Sequence, residues 1–234
     1  MLKNELKGWK TIELLWMFLA TLTITSLSIY WKDTYLGIIS SVTGVLCVIC
    51  TAKGKLSAYV FGTINCALYA YIAYKAGFYG ETMLNALYYL PLQFYGFYVW
   101  KKNMNEETNE VNKKSMGSKQ KIWLFTVVIV ATIIYGYILK LINGNLPFID
   151  ALSTVVSVVA MIISIKMYAE QWILWIVVDI VTVFMWGYTF FIQGSESIAT
   201  LLMWAVYLLN AIFAYVKWNN ETKNVQKGEM LCIK

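Results

Sequence analysis

An apolar stretch of 22 residues, from Trp172 to Gln193, contains a single ionisable group, Asp179, near its middle. This length suffices for a helix that crosses a bilayer, whose hydrocarbon core is about 30 Å thick. A carboxylate at the centre of such a helix costs roughly 2.5–3.5 kcal/mol on insertion scales, so it usually faces a bundle interior or a water-filled cavity. The chain must therefore fold so that this helix has one side away from lipid.

Helical periodicity places three indole rings on the same face as this carboxylate. The face comprises Trp172, Trp175, Asp179, Thr182, Trp186 and Phe190. Indole faces attract cations and a buried carboxylate favours a counter-charge, so the face suits a flat organic cation. Two other interpretations stay open: the Trp rings pack or anchor at membrane interfaces, and Asp179 is protonated or hydrogen-bonds a neighbouring helix.

The composition of the whole chain is that of a polytopic membrane protein. Hydrophobic residues make up 59% of the 234 residues and charged residues only 14%, far from the composition of an ordinary soluble domain. Eight apolar runs are long enough to be spans: 12–31, 36–52, 56–76, 81–100, 122–142, 147–165, 171–192 and 196–217. The first run is the most polar, so it either crosses the membrane or lies on its surface.

All 19 basic residues are Lys, and the chain has neither Arg nor His. With eight spans and a cytoplasmic N-terminus, sixteen lysines lie inside and three, Lys32, Lys75 and Lys140, lie outside. This asymmetry predicts that both termini are cytoplasmic and explains the net charge without nucleic-acid binding. The start of the chain lacks a signal-peptide cleavage site, so the first helix is expected to be retained. Three of the four Cys lie in apolar spans, and Cys47-x-x-Cys50 indicates apolar packing there rather than a metal or redox site; no cofactor is expected.

A second polar face lies in residues 81–100. Asn85, Tyr89 and Gln93 follow one another at helical spacing, and Pro91 removes a backbone donor in mid-membrane. The carbonyl that this frees is tolerated where a neighbouring helix or a cavity satisfies it. The two amides are therefore interpreted either as groups that line a cavity or as hydrogen bonds between helices.

Residues 147–217 repeat the plan of residues 36–100. The matched positions are Ser40-Ser41 with Ser153-Thr154, Lys53 with Lys166 and, after a slip of one residue, Phe61-x-x-x-Asn65 with Trp175-x-x-x-Asp179. One intervening span gives the two units the same orientation. The sequence thus predicts an all-α membrane protein of 3+1+3 helices, a parallel repeat, with one extra N-terminal helix.

Six parts follow from this plan: the extra helix 1–35, the first repeat 36–100, a cytoplasmic linker 101–121, a connecting helix 122–146, the second repeat 147–218 and a cytoplasmic tail 219–234. The linker is polar and lacks hydrophobic periodicity, which predicts that it is mobile. Paired repeats place a small-molecule site where they meet, and the last helix adds Trp204, Tyr207 and Asn210 to its candidate lining.

The polar and aromatic positions together resemble those of the PnuC family of bacterial nicotinamide riboside transporters. The positions that carry the resemblance are Tyr79-Gly80-Glu81, Asn85, Tyr88, Pro91, Gly96, Trp100, Trp172-x-x-Trp175-x-x-x-Asp179 and the turn containing Gly194. The resemblance extends over most of residues 36–218.

This resemblance implies a fold related to the SWEET sugar transporters, a homotrimer in the bacterial inner membrane and a substrate site in the centre of each protomer. It also implies facilitated diffusion of nicotinamide riboside, which an intracellular kinase then traps by phosphorylation. The substrate contacts that it implies are Asn85, Tyr89, Gln93, Trp175, Asp179 and Trp186.

Other functions remain open at this point. Thiamin is also a cationic heteroaromatic compound, and a neutral sugar is a further possible substrate. A scaffold without transport activity is the alternative from another class. An enzyme is disfavoured because the chain has no His, no clustered carboxylates within its spans and no nucleophile with an evident base.

Overall fold

The computed structural model describes residues 5, 7–32, 34–75, 82–141, 147–193 and 198–232. Within these ranges the chain is helical, and its only extended pairings are two isolated bridges. The helices are α1 Thr11–Tyr30, α2 Tyr35–Lys53, α3 Ser57–Lys75, a π-helical segment Leu84–Tyr89 that leads into α4 Leu90–Lys102, α5 Ser118–Leu141, α6 Pro147–Ile165, α7 Gln171–Gln193 and α8 Ile198–Cys232.

Each predicted span overlaps a helix, and the span 81–100 overlaps the π-helical segment and α4 together. Within the described ranges, α1, α2, α5 and α6 are long and apolar enough to cross a membrane, and Gln171–Phe184 of α7 is a shorter apolar stretch. The prediction of an all-α protein with apolar spans is confirmed at this level. The turns predicted around Gly80 and Gly194 lie outside the described residues.

Contacts group the chain into two compact units. Unit 1 contains Met1–Asn112 and Trp186–Asn210, and unit 2 contains Lys113–Met185 and Ala211–Lys234. Each unit therefore draws on a part of α7 and a part of α8. The units are described separately below.

Helix α1 packs against other helices of unit 1. Its Ala20 and Ile24 are buried in one apolar cluster with Val45 and Ile49 of α2, and Met203, Val206 and Tyr207 of α8 pack against that cluster. The opposite side of α1 is exposed, with Phe18 at 62%. The length and composition of α1 fit a membrane span, and its contacts are those of a helix in a bundle.

The π-helical segment lies directly before Pro91. Leu90 donates its backbone N–H to the carbonyl of Asn85, five residues earlier. Proline cannot donate to the helix ladder, and a wider π turn is one of the local adjustments that accompany such an interruption. The predicted interruption of the ladder thus takes the form of a π segment, and Asn85 lies at its start.

The prediction of a mobile linker is wrong, as its first half shows in unit 1. Val111 is 2% exposed and donates its N–H to the carbonyl of Gly54, in the α2–α3 turn, at 2.9 Å. Lys53, the last residue of α2, forms ion pairs with Glu110 at 3.0 Å and with Glu13 of α1 at 2.7 Å. These bonds fix residues that carry no hydrophobic periodicity, which is why the pattern alone did not reveal their order.

The second half of the linker is held in unit 2 in a similar way. Lys114 donates its N–H to the carbonyl of Met167 and accepts the N–H of Ala169, both at 2.8 Å. Lys113 forms an ion pair with Glu221 of α8. The α6–α7 turn therefore binds the linker as a short parallel bridge.

Helix α8 is longer than predicted, since the sequence indicates a separate tail from residue 219. Trp218 is fully buried and Thr222 is 4% exposed, so α8 keeps an inward face in this region. The helix continues to Cys232. Buried contacts extend the helix past the end of its apolar run.

Candidate functional site

Part of the predicted polar face of α7 is buried, and part of the remaining surface of the helix is exposed. Trp172 and Asp179 are 2% and 3% exposed, and Trp175 is partly buried. On the far side of the helix, Ile180 and Phe184 are 53% and 72% exposed. Leu174 and Val178, off the predicted face, are as buried at 2% and 3%, so the buried side of α7 includes only a part of the predicted face. The side chain of Trp186 lies outside the described residues.

The Asp179 carboxylate has no hydrogen bond and no ion pair with any other described residue. Thr182 lies on the same face, but its hydroxyl donates to the carbonyl of Val178 at 2.8 Å. The alternative in which Asp179 bonds to a neighbouring helix is therefore not seen in the described part of the chain. A buried carboxylate without a partner is costly unless a ligand or a proton neutralises it.

A second polar cluster lies in unit 1, where α2, α3 and α8 meet. Asn65 of α3 donates its Nδ2 to the Ser40 carbonyl at 2.8 Å and to the Ser40 hydroxyl at 3.3 Å. A Cβ added at Gly44 would lie 2.2 Å from the Tyr207 hydroxyl and 2.9 Å from Asn65 Nδ2. Only glycine leaves room for Tyr207 and Asn65 to approach α2 so closely.

Two more of the predicted residues of α8 lie beside this cluster. Asn210 is 3% exposed and donates its Nδ2 to the carbonyl of Val48 at 3.0 Å. Trp204 packs edge-on against Tyr207 with ring centroids 5.3 Å apart. The Trp204 indole N–H is buried and has no hydrogen-bond partner. The structure thus brings Trp204, Tyr207 and Asn210 together on the inward side of α8.

The amides of the second predicted face are both buried in unit 1. Asn85 and Gln93 are each 7% exposed, and Tyr89 is partly buried. Gln93 lies over Gly62 of α3 and donates its Nε2 to the Cys66 sulfur at 3.7 Å. This contact agrees with the interpretation of Gln93 as a hydrogen bond between helices.

Gln93 also lines a cavity of about 340 Å³ between α3 and α4. The other lining residues are largely apolar: Tyr59, Val60, Thr63, Ile64, Phe94 and Phe97. Val60 and Phe94 are 52% and 63% exposed, so this cavity is an open groove. Gln93 thus lines this groove and also forms a hydrogen bond between helices, so the two interpretations do not exclude each other.

The sequence prediction missed Ser40, Gly44 and Asn65 as members of one cluster. Asn65 was recognisable as the counterpart of Asp179 in the matched repeat positions, and Ser40 and Gly44 as small residues on a single span. Their meeting with Tyr207 depends on how α8 packs, and a local pattern carries no information on that. The described residues contain no group of three His, Cys, Asp or Glu that could hold a metal ion.

The apolar helices and these buried polar groups define the class: a helical membrane protein with polar side chains buried within its units. A model of the nicotinamide mononucleotide transporter family matches residues 34–220. The nicotinamide riboside transporter PnuC of Neisseria mucosa is 38% identical over 226 residues, which cover 94% of this chain and 86% of the relative. The PnuC protein of Haemophilus influenzae is 36% identical, with 95% of this chain and 96% of the relative covered.

A solved structure gives the same relationship in three dimensions. The crystal structure of the vitamin B3 transporter PnuC matches with a TM-score of 0.84 and 39% identity, over 95% of this chain and 97% of that one. The chain belongs to the nicotinamide mononucleotide transporter family, among its PnuC members. The family and these relatives are transporters, in agreement with the resemblance seen in the sequence.

Proposed function

We propose that the protein carries nicotinamide riboside across the bacterial inner membrane. The observation that supports this most directly is the buried, unpartnered Asp179 on the same face of α7 as Trp175. Nicotinamide riboside contains a flat pyridinium cation, which an indole face and a carboxylate both favour. The names of the relatives from Neisseria mucosa and Haemophilus influenzae support the same substrate.

The riboside suits these groups better than the mononucleotide after which the family model is named. A desolvated phosphate needs a Lys or Arg partner or several donors. The two most deeply buried lysines of the described chain, Lys53 and Lys55, are already engaged. Lys53 pairs with Glu13 and Glu110, and Lys55 donates to the carbonyls of Lys7 and Asn109.

The remaining predicted site residues are part of the same proposal. The family resemblance implies Asn85, Tyr89 and Gln93 as further substrate contacts, and the sequence adds Tyr207 and Asn210; their amides and hydroxyls are donors and acceptors of the kind that ribose hydroxyls need. Trp186 and Trp204 add aromatic surface. Asn210 and Gln93 already bond within unit 1, and Asn85, Tyr89 and Tyr207 have partners as well, so all five would use their remaining hydrogen-bonding capacity or exchange partners.

The 3+1+3 repeat is the finer architecture that goes with this function. In its support, the residue after each matched lysine has a positive φ: Gly54 at 83° and Met167 at 63°. Tyr59 and Trp172 also correspond, because each lies the same number of residues after its matched lysine. Tyr59 meets Trp100 edge-on at 5.0 Å, and Trp172 meets Trp218 edge-on at 5.8 Å.

Three further properties complete the proposal. The lysine distribution supports cytoplasmic termini. The family resemblance supports a homotrimer, each protomer with its own site, and uptake by facilitated diffusion with trapping by an intracellular kinase. Enzymatic activity is not part of the proposal, since the chain has no His and Asp179 has no described acid or base partner.

Transport in proteoliposomes at zero membrane potential tests this proposal. With riboside outside and no gradient of H⁺ or Na⁺, uptake should proceed until both concentrations are equal and then stop. Accumulation beyond equality under an imposed ion gradient would contradict a facilitator and would make Asp179 a coupling-ion site. Calorimetric titration with thiamin tests the alternative substrate. If the protein bound no vitamin, the alternative of a scaffold without transport activity would be favoured.

A further inference from the structure

Gln171, the first residue of α7, is a buried amide without partners. Its exposure is 0%, and neither its Nε2 nor its Oε1 has a hydrogen-bond partner in the described part of the chain. Buried side-chain amides are almost always bonded, because an unmade bond costs the desolvation of the group. The neighbouring Trp172 indole N–H is unpartnered as well. Two adjacent donors and one acceptor in unit 2 are therefore unused.

The position of Gln171 connects it with the candidate site. Gln171, Trp175 and Asp179 are each four residues apart, so they lie on one face of α7. At 1.5 Å per residue, Gln171 and Asp179 are about 12 Å apart along the axis, with Trp175 between them. In this order the face presents an amide, an aromatic plane and a carboxylate.

The backbone around Gln171 is firmly held, so the unpaired amide is not part of a loose end. Gln171 donates its N–H to the carbonyl of Tyr168 at 3.2 Å. Glu170, directly before it, accepts the hydroxyl of Ser115 at 3.0 Å and the N–H of Met116 at 3.1 Å. The local structure thus orders the main chain and leaves the Gln171 side chain unsatisfied.

A primary amide is complementary to another primary amide. Each has one carbonyl acceptor and one NH₂ donor, so two of them can exchange a pair of hydrogen bonds. Nicotinamide riboside has such a carboxamide on the pyridinium ring. A ring that stacks on Trp175 and directs its charged nitrogen towards Asp179 would direct its carboxamide towards the start of α7.

We propose that Gln171 recognises the carboxamide of the substrate and so makes the site specific for the amide form of the vitamin. This inference rests on the proposed function. Both amide atoms are closed off here, so pairing takes place in another conformation of the transport cycle. A ligand that satisfies the amide only in that conformation shifts the population towards it.

The test uses two ligands and two variants of the full chain. The ligands are nicotinamide riboside and the pyridinium riboside without a carboxamide, both titrated by calorimetry in detergent. Gln171→Met keeps the length of the side chain but has no amide, and Gln171→Glu keeps an oxygen but loses the NH₂ donor. The control is Gln120→Met, at an exposed position of α5.

Wild-type protein should bind nicotinamide riboside about tenfold more tightly than the ligand without the carboxamide. Gln171→Met should abolish this preference and leave the affinity for the second ligand unchanged, and Gln171→Glu should reduce the preference. If both variants kept the full preference for nicotinamide riboside, or lost affinity for both ligands equally, the inference about Gln171 would be wrong. The proposed function, transport of the riboside, would not be affected by either result. If wild-type protein bound neither riboside, the proposed function itself would fail, and this inference with it.

Discussion

Two carboxylates near the start of α7 are equally buried and differ in their partners. Glu170 and Asp179 are each 3% exposed. Glu170 accepts bonds from the Ser115 hydroxyl and the Met116 N–H and pairs with Lys121 at 2.8 Å. Asp179, nine residues further on, has no partner among the described residues.

Under the function proposed above, this difference separates a structural role for Glu170 from a functional one for Asp179. A buried charge that the protein satisfies itself stabilises the contact it makes, here between the linker and the α6–α7 turn. A buried charge that the protein leaves unsatisfied lowers stability and persists only where something else requires it. Substitution of Asp179 should therefore weaken substrate binding without lowering stability. Substitution of Glu170 should destabilise the linker contact without changing substrate binding.

The largest effect is expected from Asp179→Asn on substrate affinity. Loss of one partner of a buried charge pair costs about 2–5 kcal/mol, so binding of nicotinamide riboside should weaken roughly 100-fold. The thermal unfolding midpoint in detergent should stay the same or rise, because an uncompensated charge is removed. Calorimetry and thermal unfolding measure the two quantities.

The matched control for this substitution is Ile180→Ala, on the exposed side of the same helix. It should leave riboside affinity unchanged. Wild-type affinity in folded Asp179→Asn protein would show that the unpartnered carboxylate does not mark the site.

A second prediction concerns the charge of the ligand. The mononucleotide should bind at least about tenfold more weakly than the riboside, because its phosphate lacks a cationic partner and Asp179 repels it. Asp179→Asn should reduce the difference between the two affinities, because it weakens binding of the riboside and removes the repulsion of the phosphate. Equal affinities of wild-type protein for both ligands in calorimetry would refute the role given to Asp179.

Glu170→Gln should weaken the attachment of the linker and leave the affinity for the riboside unchanged. The ion pair itself contributes little, because the Lys121 side chain is 41% exposed. The main loss is the charge-assisted bonds from Ser115 and Met116, worth about 1.5–3 kcal/mol. Proteolysis of residues 113–117 should become roughly tenfold faster.

Glu107→Gln provides the control for the linker experiment, since Glu107 is exposed on the same segment. Its cleavage rate should equal that of the wild type. A Glu170→Gln variant that is cleaved no faster and binds riboside less well would reverse the assignment of the two carboxylates.

The smallest effect is expected for a satisfied amide of unit 1. Asn65→Ala removes the bonds to Ser40, worth about 0.5–1.5 kcal/mol each. The unfolding midpoint should fall by about 2–4 °C for each kcal/mol lost, which thermal unfolding in detergent measures. Asn220→Ala, at an exposed position of α8, should leave the midpoint unchanged. If the unfolding midpoint fell more in Asn220→Ala than in Asn65→Ala, the structural role of the unit 1 cluster would be contradicted.

The sequence by itself determined the helical class, the positions of the spans and the polar face of α7. Hydrophobic runs and helical periodicity are local properties, and the cost of a carboxylate among apolar residues is readable from composition alone. The same reasoning placed Asp179 and Trp175 on one face of α7, and the resemblance carried by the polar and aromatic positions indicated the family, which the comparisons confirm. The 3+1+3 arrangement and the trimer stay predictions.

Only the tertiary structure decided which polar groups are satisfied. Glu170 has side-chain partners and Asp179 and Gln171 have none among the described residues, although all three are polar residues at buried positions of one segment. A local pattern identifies a residue that will be buried, but hydrogen-bond partners come from distant segments. The linker shows the same limit: its order comes from bonds to the turns that contain Gly54 and Met167, and polar composition alone indicates mobility. Satisfaction of a polar group is a property of the surrounding fold, because donors and acceptors must meet within about 3 Å from separate parts of the chain.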